Sequence, residues 1–523
     1  MTASEEKTSD FKDDSHYLQI DILKGLMILL VIIDHAIPWD VRAQWGHSLW
    51  ERISIPVFLI IMGFNSALSF RKKGIPLESF HSYMKYIWHK FKRFYIPFGL
   101  LFIVSTIFGL IYYSNFTNLL EIQFYPHWPQ EMLWNFILPF YGPGNWFIPV
   151  LFQAMLILPL LYWVFRKAPK MTLVASFLFE LGVQYFNFVV NGHYVEWWPN
   201  VPLARTMLQT SVLFYINALF IGFWIAHNPH LIADSVDSIS NIQTKTKTLN
   251  KKLNEKVPFH FYLVILALIV LGITVIVPNL KLILGRWQAV MIVILLIVLC
   301  LGFYFYRPLN EFAKVFSISI LITIGFLLII DKYGDLVWID WETRTCNAES
   351  TLFFEAIVVF AVPYVLNIIF SPKNRNFFLW MLGITSATYL SVYHYDDFRF
   401  LLITGDYHFL VYPYSALIVM VFLSVLPKNS NYKILKGFST IGKASYHILL
   451  TQIFAYGIIL AVTGDHYLVE GNAIHTMWFN SNSNYVMVVW LYVALMWLIC
   501  VPIGLGWYFL ENYIRRKLKN IAN

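Results

Sequence analysis

Apolar stretches long enough to cross a lipid bilayer recur along nearly the whole chain, separated by short polar breaks. A helix spans the hydrocarbon core with about 20 consecutive apolar residues. About fourteen runs of that order can be read, at 20–37, 53–70, 95–113, 146–165, 171–190, 207–226, 261–277, 287–306, 315–330, 352–370, 377–395, 409–426, 446–462 and 486–510. The runs at 315–330 and 377–395 are the weakest. With 58% hydrophobic and 13% charged residues, the chain lacks the polar material for a soluble surface. Its mean hydropathy of +0.60 agrees. The expected fold is an all-α polytopic transmembrane bundle of about 11–14 spans.

The net charge of +8 would suggest a nucleic-acid partner in a soluble protein. In a membrane protein it is read through its distribution, because Lys and Arg collect on the cytoplasmic side. With a cytoplasmic N-terminus and alternating spans, 30 of the 38 Lys and Arg fall on the cytoplasmic side and 8 outside. A single miscounted span would spoil that asymmetry, so both termini are expected in the cytoplasm and the chain in the plasma membrane. Residues 1–19 lack the basic start and apolar core of a signal peptide. The expected organisation is a polar tail at 1–19, a membrane domain at 20–511 with a cytoplasmic loop at 228–260, and a basic tail at 512–523. The lysine-rich loop suits a surface helix or linker near anionic lipid headgroups. Cys300, Cys346 and Cys500 are scattered, which indicates neither a disulfide framework nor a thiolate metal site.

Ionisable residues inside a span are costly and mark functional positions. The first span has the clearest set: Asp21, Lys24, Asp34 and His35. Lys24 and His35 are eleven positions apart, about 20° short of three full helical turns and roughly 16 Å along the axis. They share a helix face, so one cavity could meet a cation near the cytoplasmic surface and an imidazole deeper in. Imidazole is matched to proton transfer near neutral pH and can deprotonate an alcohol attacking a carbonyl. Asp34 could orient it or serve another helix, since adjacent helical residues point about 100° apart. The competing reading puts Asp34 and His35 at an aqueous helix end, because Pro38 follows. Lys90, Lys92 and Arg93 precede Pro97 and could bind phosphates, although any cytoplasmic loop is basic. Residues 141–149 break the chain with Gly and Pro before an apolar helix, an arrangement tolerated at membrane depth where it lines a cavity or is covered by protein. Glu180, Gln184, Glu355 and residues 393–397 add polar groups in or beside spans, for which internal hydrogen bonds are the plainer account.

Taken together these stretches resemble the membrane acyltransferase type 3 family. Lys24, ten further residues and His35 are similar to the family's opening helix, with Lys24 in the place usually held by Arg. Residues 55–64 resemble its Phe-rich second helix, with Met62 where Ser is usual. Lys90 to Arg93 before Tyr95 and Pro97 resemble its paired arginines, Asn145 to Leu151 its Trp-Phe-Leu-Pro segment, and Ile441 to Gln452 its Gly-x-x-Ser-Tyr helix. The family often closes that last helix with His, where this chain has Thr451 and Gln452.

The resemblance implies transfer of an acyl group, acetyl in many members, from cytoplasmic acyl-CoA to a hydroxyl of an outward-facing glycan or other envelope molecule. It implies His35 as the catalytic residue with Asp34 beside it, and Lys24, Lys90, Lys92 and Arg93 as donor-binding groups. His35 would act as general base or accept the acyl group itself. No metal and no tightly bound cofactor are required, and the expected partners are acyl-CoA, the hydroxyl acceptor and membrane lipids, with no nucleic acid. The rival reading is a proton-coupled transporter or lipid-linked glycan flippase with Asp34 and His35 as the coupling pair.

Overall fold

The computed structural model describes residues 17–37, 50–113, 144–192, 210–228, 411–426, 432–463 and 485–522, with isolated positions between 379 and 386. Those residues form helices and no strands. In chain order they are α1 (Leu18–Ala36), α2 (Ser54–Lys73), α3 (Phe80–Tyr113), α4 (Phe147–Lys167), α5 (Pro169–Gly192), α6 (Ile216–His227), α7 (Val411–Val425), α8 (Lys433–Lys443), α9 (Ser445–Thr463) and α10 (Tyr485–Ala522), with a 3-10 turn at Val212–Tyr215 before α6. Nine of the expected spans coincide with helices. The spans expected at 261–277, 287–306, 315–330 and 352–370, the loop at 228–260 and residues 393–397 lie outside the described residues, as does most of 377–395.

Among the described residues, four helices are long and apolar enough to cross a membrane: Ser54–Lys73, Phe80–Tyr112, Phe147–Lys167 and Val489–Leu518. Helix α1 fails that test through its own charges, Asp21, Lys24 and Asp34, and is instead wrapped by other helices. It packs on α8 above all, and also on α2, α7, α9 and α10. Helices α3 and α10 form the outside of the bundle, presenting Phe102, Ile103, Ile107, Leu491, Leu495 and Leu498 outward as a lipid-facing surface.

Where helices cross closely, glycine is at the contact. A Cβ on Gly25 would strike the carbonyl of Phe438, and one on Gly442 the carbonyl of Asp21, so α1 and α8 meet backbone to backbone. Gly63 lies against the carbonyl of Leu219, and a Cβ on Gly222 would come 2.7 Å from the amide nitrogen of Phe64, which brings α2 and α6 together. On α10, a Cβ at Gly504 would reach 2.6 Å from Cγ1 of Ile448 on α9. Small residues are favoured at such crossings because lipid leaves van der Waals packing and interhelical hydrogen bonds to hold helices together.

Polar side chains complete the joints. Gln19 of α1 donates through Nε2 to the carbonyls of Leu423 and Leu426, at 3.0 and 2.7 Å, meeting last-turn acceptors that α7 cannot satisfy itself. Tyr456 of α9 donates to the Ile32 carbonyl at 3.1 Å and Trp497 of α10 to that of Leu29 at 3.2 Å. Gln153 of α4 accepts from the Val212 amide and donates to the Thr210 carbonyl, fixing the entry to α6.

Two elements differ from the sequence expectation. Helix α3 begins at Phe80, so Lys90, Lys92 and Arg93 ride on the same continuous helix as the apolar span. At 34 residues it is about 51 Å long, well beyond the hydrocarbon core. Residues 433–443, which fall between the runs read at 409–426 and 446–462, form α8, whose Gly442 supplies half of the crossing with α1.

Gly222→Ala is expected to lower the thermal midpoint sharply, by the equivalent of about 3 kcal/mol or more, because the new methyl meets backbone rather than a movable side chain. Gly99→Ala, where nothing lies within 4 Å, should leave the midpoint unchanged or raise it. Thermal unfolding in detergent with a buried-thiol dye checks both.

Candidate active site

Basic residues from distant parts of the sequence meet at one end of the bundle. Asp21 is fully buried on α1; the Lys24 ammonium is 2.7 Å from its carboxylate and that of Lys443, on α8, is 3.9 Å away. A carboxylate among apolar helices is tolerable with cationic partners of this kind. Lys24, expected to hold donor phosphates, is therefore engaged one turn along its own helix. Arg93 lies within Coulombic reach of Asp21 and of Arg515 on α10, and Lys90 within reach of Arg93 and of Lys73 at the end of α2. Arg71 donates to the Ala226 carbonyl at 3.1 Å, bringing the C-terminal turns of α2 and α6 to the same end. The structure thus gathers Lys24, Lys90 and Arg93. Lys92, exposed like its neighbour Arg93, has its ammonium 5.0 Å from the Trp88 ring centroid.

Roughly 16 Å further along α1, His35 and Asp34 form the second part of the site. Their side chains are 19% and 18% exposed, and Nδ1 of His35 is 3.9 Å from Oδ2 of Asp34. That separation is electrostatic contact rather than a direct hydrogen bond. The other ring nitrogen looks elsewhere. Nε2 of His35 is 3.6 Å from the point that a Cβ on Gly144 would occupy, and Nε2 of Gln452 is 3.9 Å from that same point. The Tyr456 ring stands edge-on to the imidazole, centroids 6.4 Å apart.

Local sequence accounts for this corner. Gly144 holds φ at +94°, a left-handed conformation that strains residues with a Cβ. It opens the turn 144–146, in which the amides of Phe147 and Ile148 bond back to the carbonyls of Gly144 and Asn145. Side chains of α1 and α9, those of His35, Leu449 and Gln452, lie beside Gly144 in this turn; residues 141–143 are outside the described set. Gln452 faces the turn from α9, is fully buried, and has no hydrogen-bond partner for Nε2 or Oε1 among the described residues. Unmet buried polar groups cost about 1–3 kcal/mol each, so stability alone gives no reason for this amide.

With this geometry in view, the comparison with known families is specific: a sequence model for an acyltransferase domain matches residues 17–238. Over those residues the chain is similar to the acyltransferase type 3 family. The acyltransferase match runs from α1 through α6 and contains Lys24, Asp34, His35, Lys90, Lys92, Arg93 and Gly144. No curated relative and no solved structure matches the chain. Together with its lipid-length apolar helices, the match supports a membrane protein that carries an acyltransferase-like segment.

Beyond the matched acyltransferase segment, α8, α9 and α10 complete both ends of the site. At the basic end, Nε2 of His447 on α9 is 2.7 Å from Oε2 of Glu511 on α10, and Glu511 is also paired with Arg515. Arg515 in turn donates to the Lys92 carbonyl at 3.1 Å, and the Tyr446 hydroxyl donates to that of Phe94 at 2.9 Å. These contacts tie α9 and α10 to the basic part of α3. Sequence reasoning missed His447, Glu511 and Arg515 as a group because they come from separate stretches, with Arg515 in the part read as a tail. It missed the contact between Gly144 and Gln452 because 308 positions separate them. Among the described residues no group of three or more His, Cys, Asp or Glu could hold a metal ion.

Replacing Asp21 by Ala should destabilise the bundle by about 3 kcal/mol, since a buried ion pair loses one partner. The double variant Asp21→Ala, Lys24→Met should recover part of that loss. A double-mutant cycle on thermal midpoints measures the coupling, and purely additive effects would remove the pair from its structural role.

Proposed function

We propose that this protein is a plasma-membrane O-acyltransferase. It takes an acyl group, acetyl in the simplest case, from acyl-CoA on the cytoplasmic side. The acceptor is a hydroxyl of a glycan or another envelope molecule reaching His35 from the opposite side. The observation that carries this reading is the arrangement along α1: a cluster of cations at one end and, roughly 16 Å away on the same helix, an imidazole facing a glycine turn. That distance suits a coenzyme A whose phosphates are held at the basic end while its extended pantetheine arm carries the thioester inward.

In this reading Lys90 and Arg93 bind the phosphates, because both lie where α3 passes the Asp21 end of α1, and cations paired with phosphate oxygens form short, strong hydrogen bonds. Lys24 and Lys443 share Asp21 and contribute positive field without leaving the ion pair. Lys92 acts on the donor only through its backbone, which braces Arg515. At the far end, His35 takes the acceptor's proton at Nε2, the nitrogen that faces Gly144, while Nδ1 faces the Asp34 carboxylate. Asp34 stabilises the imidazolium through space, at 3.9 Å and with both side chains only partly exposed. The reaction uses the acyl-CoA as co-substrate and needs no resident cofactor.

His35→Ala in nanodiscs should lower release of coenzyme A from acetyl-CoA, in the presence of acceptor, by about a hundredfold or more while the protein still inserts and unfolds at its normal temperature. Wild-type release rates in that variant would remove His35 from the chemistry. Lys90→Ala and Arg93→Ala should each raise KM for acetyl-CoA about tenfold and leave kcat within a few-fold, as expected for loss of a charge-assisted contact to phosphate. A selective fall in kcat would place these residues elsewhere.

A further inference from the structure

Gln452 is a buried amide whose hydrogen-bonding groups are unused among the described residues. Its neighbours on α9 have committed theirs: the Thr451 hydroxyl donates to the His447 carbonyl at 2.8 Å, and the Tyr456 hydroxyl to the Ile32 carbonyl. Gln452 therefore keeps two N–H donors and a carbonyl in reserve where α9 faces Gly144. The space between them is kept open by backbone geometry. Gly144 carries no Cβ at a point 3.6 Å from His35 Nε2, 3.7 Å from Leu449 Cδ1 and 3.9 Å from Gln452 Nε2, and its φ of +94° makes any other residue strained there. A partly exposed imidazole, a fully buried amide and an apolar side chain thus converge on the side of Gly144 that has no Cβ, and a positioned donor there can meet a developing charge.

We propose that Gln452 is a catalytic residue of acyl transfer, its side-chain N–H donating to the thioester carbonyl oxygen and to the oxyanion formed from it. The proposal rests on the acyl-transfer reading above. The acceptor hydroxyl oxygen forms a bond to the thioester carbonyl carbon, and its proton passes to Nε2 of His35. The carbonyl π pair moves onto oxygen, where the Gln452 N–H meets the negative charge. That pair then re-forms the carbonyl as the carbon–sulfur bond breaks. The departing thiolate takes the proton from the imidazolium, leaving an ester and the free thiol of coenzyme A. A carboxamide does not ionise, so its donor persists at every pH at which His35 can act.

Gln452→Met keeps the side chain's length and removes its polar groups, and Gln452→Glu keeps the shape while placing a carboxylate beside the oxyanion. Both are compared with wild type and His35→Ala in nanodiscs, measuring kcat, KM for acetyl-CoA and thermal midpoint. For Gln452→Met the expected result is a fall in kcat of about a hundredfold or more, KM within threefold, and a thermal midpoint equal to or above wild type. Gln452→Glu should be slower still. A Gln452→Met enzyme with kcat within fivefold of wild type, beside an inactive His35→Ala, overturns the role of Gln452 and leaves the acyl-transfer reading standing. A lowered midpoint in both Gln452 variants, with activity falling in proportion to folded protein, assigns Gln452 to structure instead. A wild-type protein that releases no coenzyme A, or a His35→Ala protein that matches it, removes the acyl-transfer reading and this role with it.

Discussion

Helices surrounded by hydrocarbon gain little from burying apolar side chains, because lipid tails already provide an apolar environment. What holds this bundle is close approach of backbones, and the crossing of α1 with α8 at Gly25 and Gly442 is the contact on which the site depends. It sets the depth of α1 relative to the segment that continues into α9. With that depth fixed, Asp21 meets Lys443 at one end, and His35 comes opposite the part of α9 that carries Gln452 and Tyr456 at the other. A shift of one residue along this crossing would move every one of these groups by about 1.5 Å and turn it by about 100°.

Much of the bundle was legible in the sequence because one long apolar run makes one helix with little help from its neighbours. Helices α1, α2, α4, α5, α9 and α10 begin within a few residues of the runs that announced them. Two kinds of information were not local. The basic residues of α3 resemble those of any loop on the cytoplasmic side, and composition has no means of showing that the helix carries straight through them from Phe80. The short helix α8 is too polar to register as a span and owes its place to Gly442 fitting against α1.

The site divides in the same way. His35, Asp34 and Lys24 stand out because charge within an apolar run is conspicuous. Gly144 could be suspected from its Gly- and Pro-rich surroundings, though its position over the imidazole depends on how α4 packs. Gln452 stood out only as a departure from the His that the resembled family often has there, and otherwise looks like an ordinary buried polar group on an apolar helix. Its interest arises only when the structure shows that its hydrogen bonds are unmet and its neighbours' are not. Lys24 shows the converse, since its charge was conspicuous and the structure gives that charge to Asp21.

Helix α10 runs for 38 residues, about 57 Å, through a hydrocarbon core of about 30 Å. The excess emerges or is taken up by tilt. Glu511 and Arg515 join its last turns to His447 and to the Lys92 backbone, so the basic ends of α3, α9 and α10 are linked. Bilayer thickness then becomes a mechanical input: a thicker membrane draws the coupled ends toward the headgroups and a thinner one pushes them into water. The basic end of the protein is thereby geared to the thickness of the lipid around it.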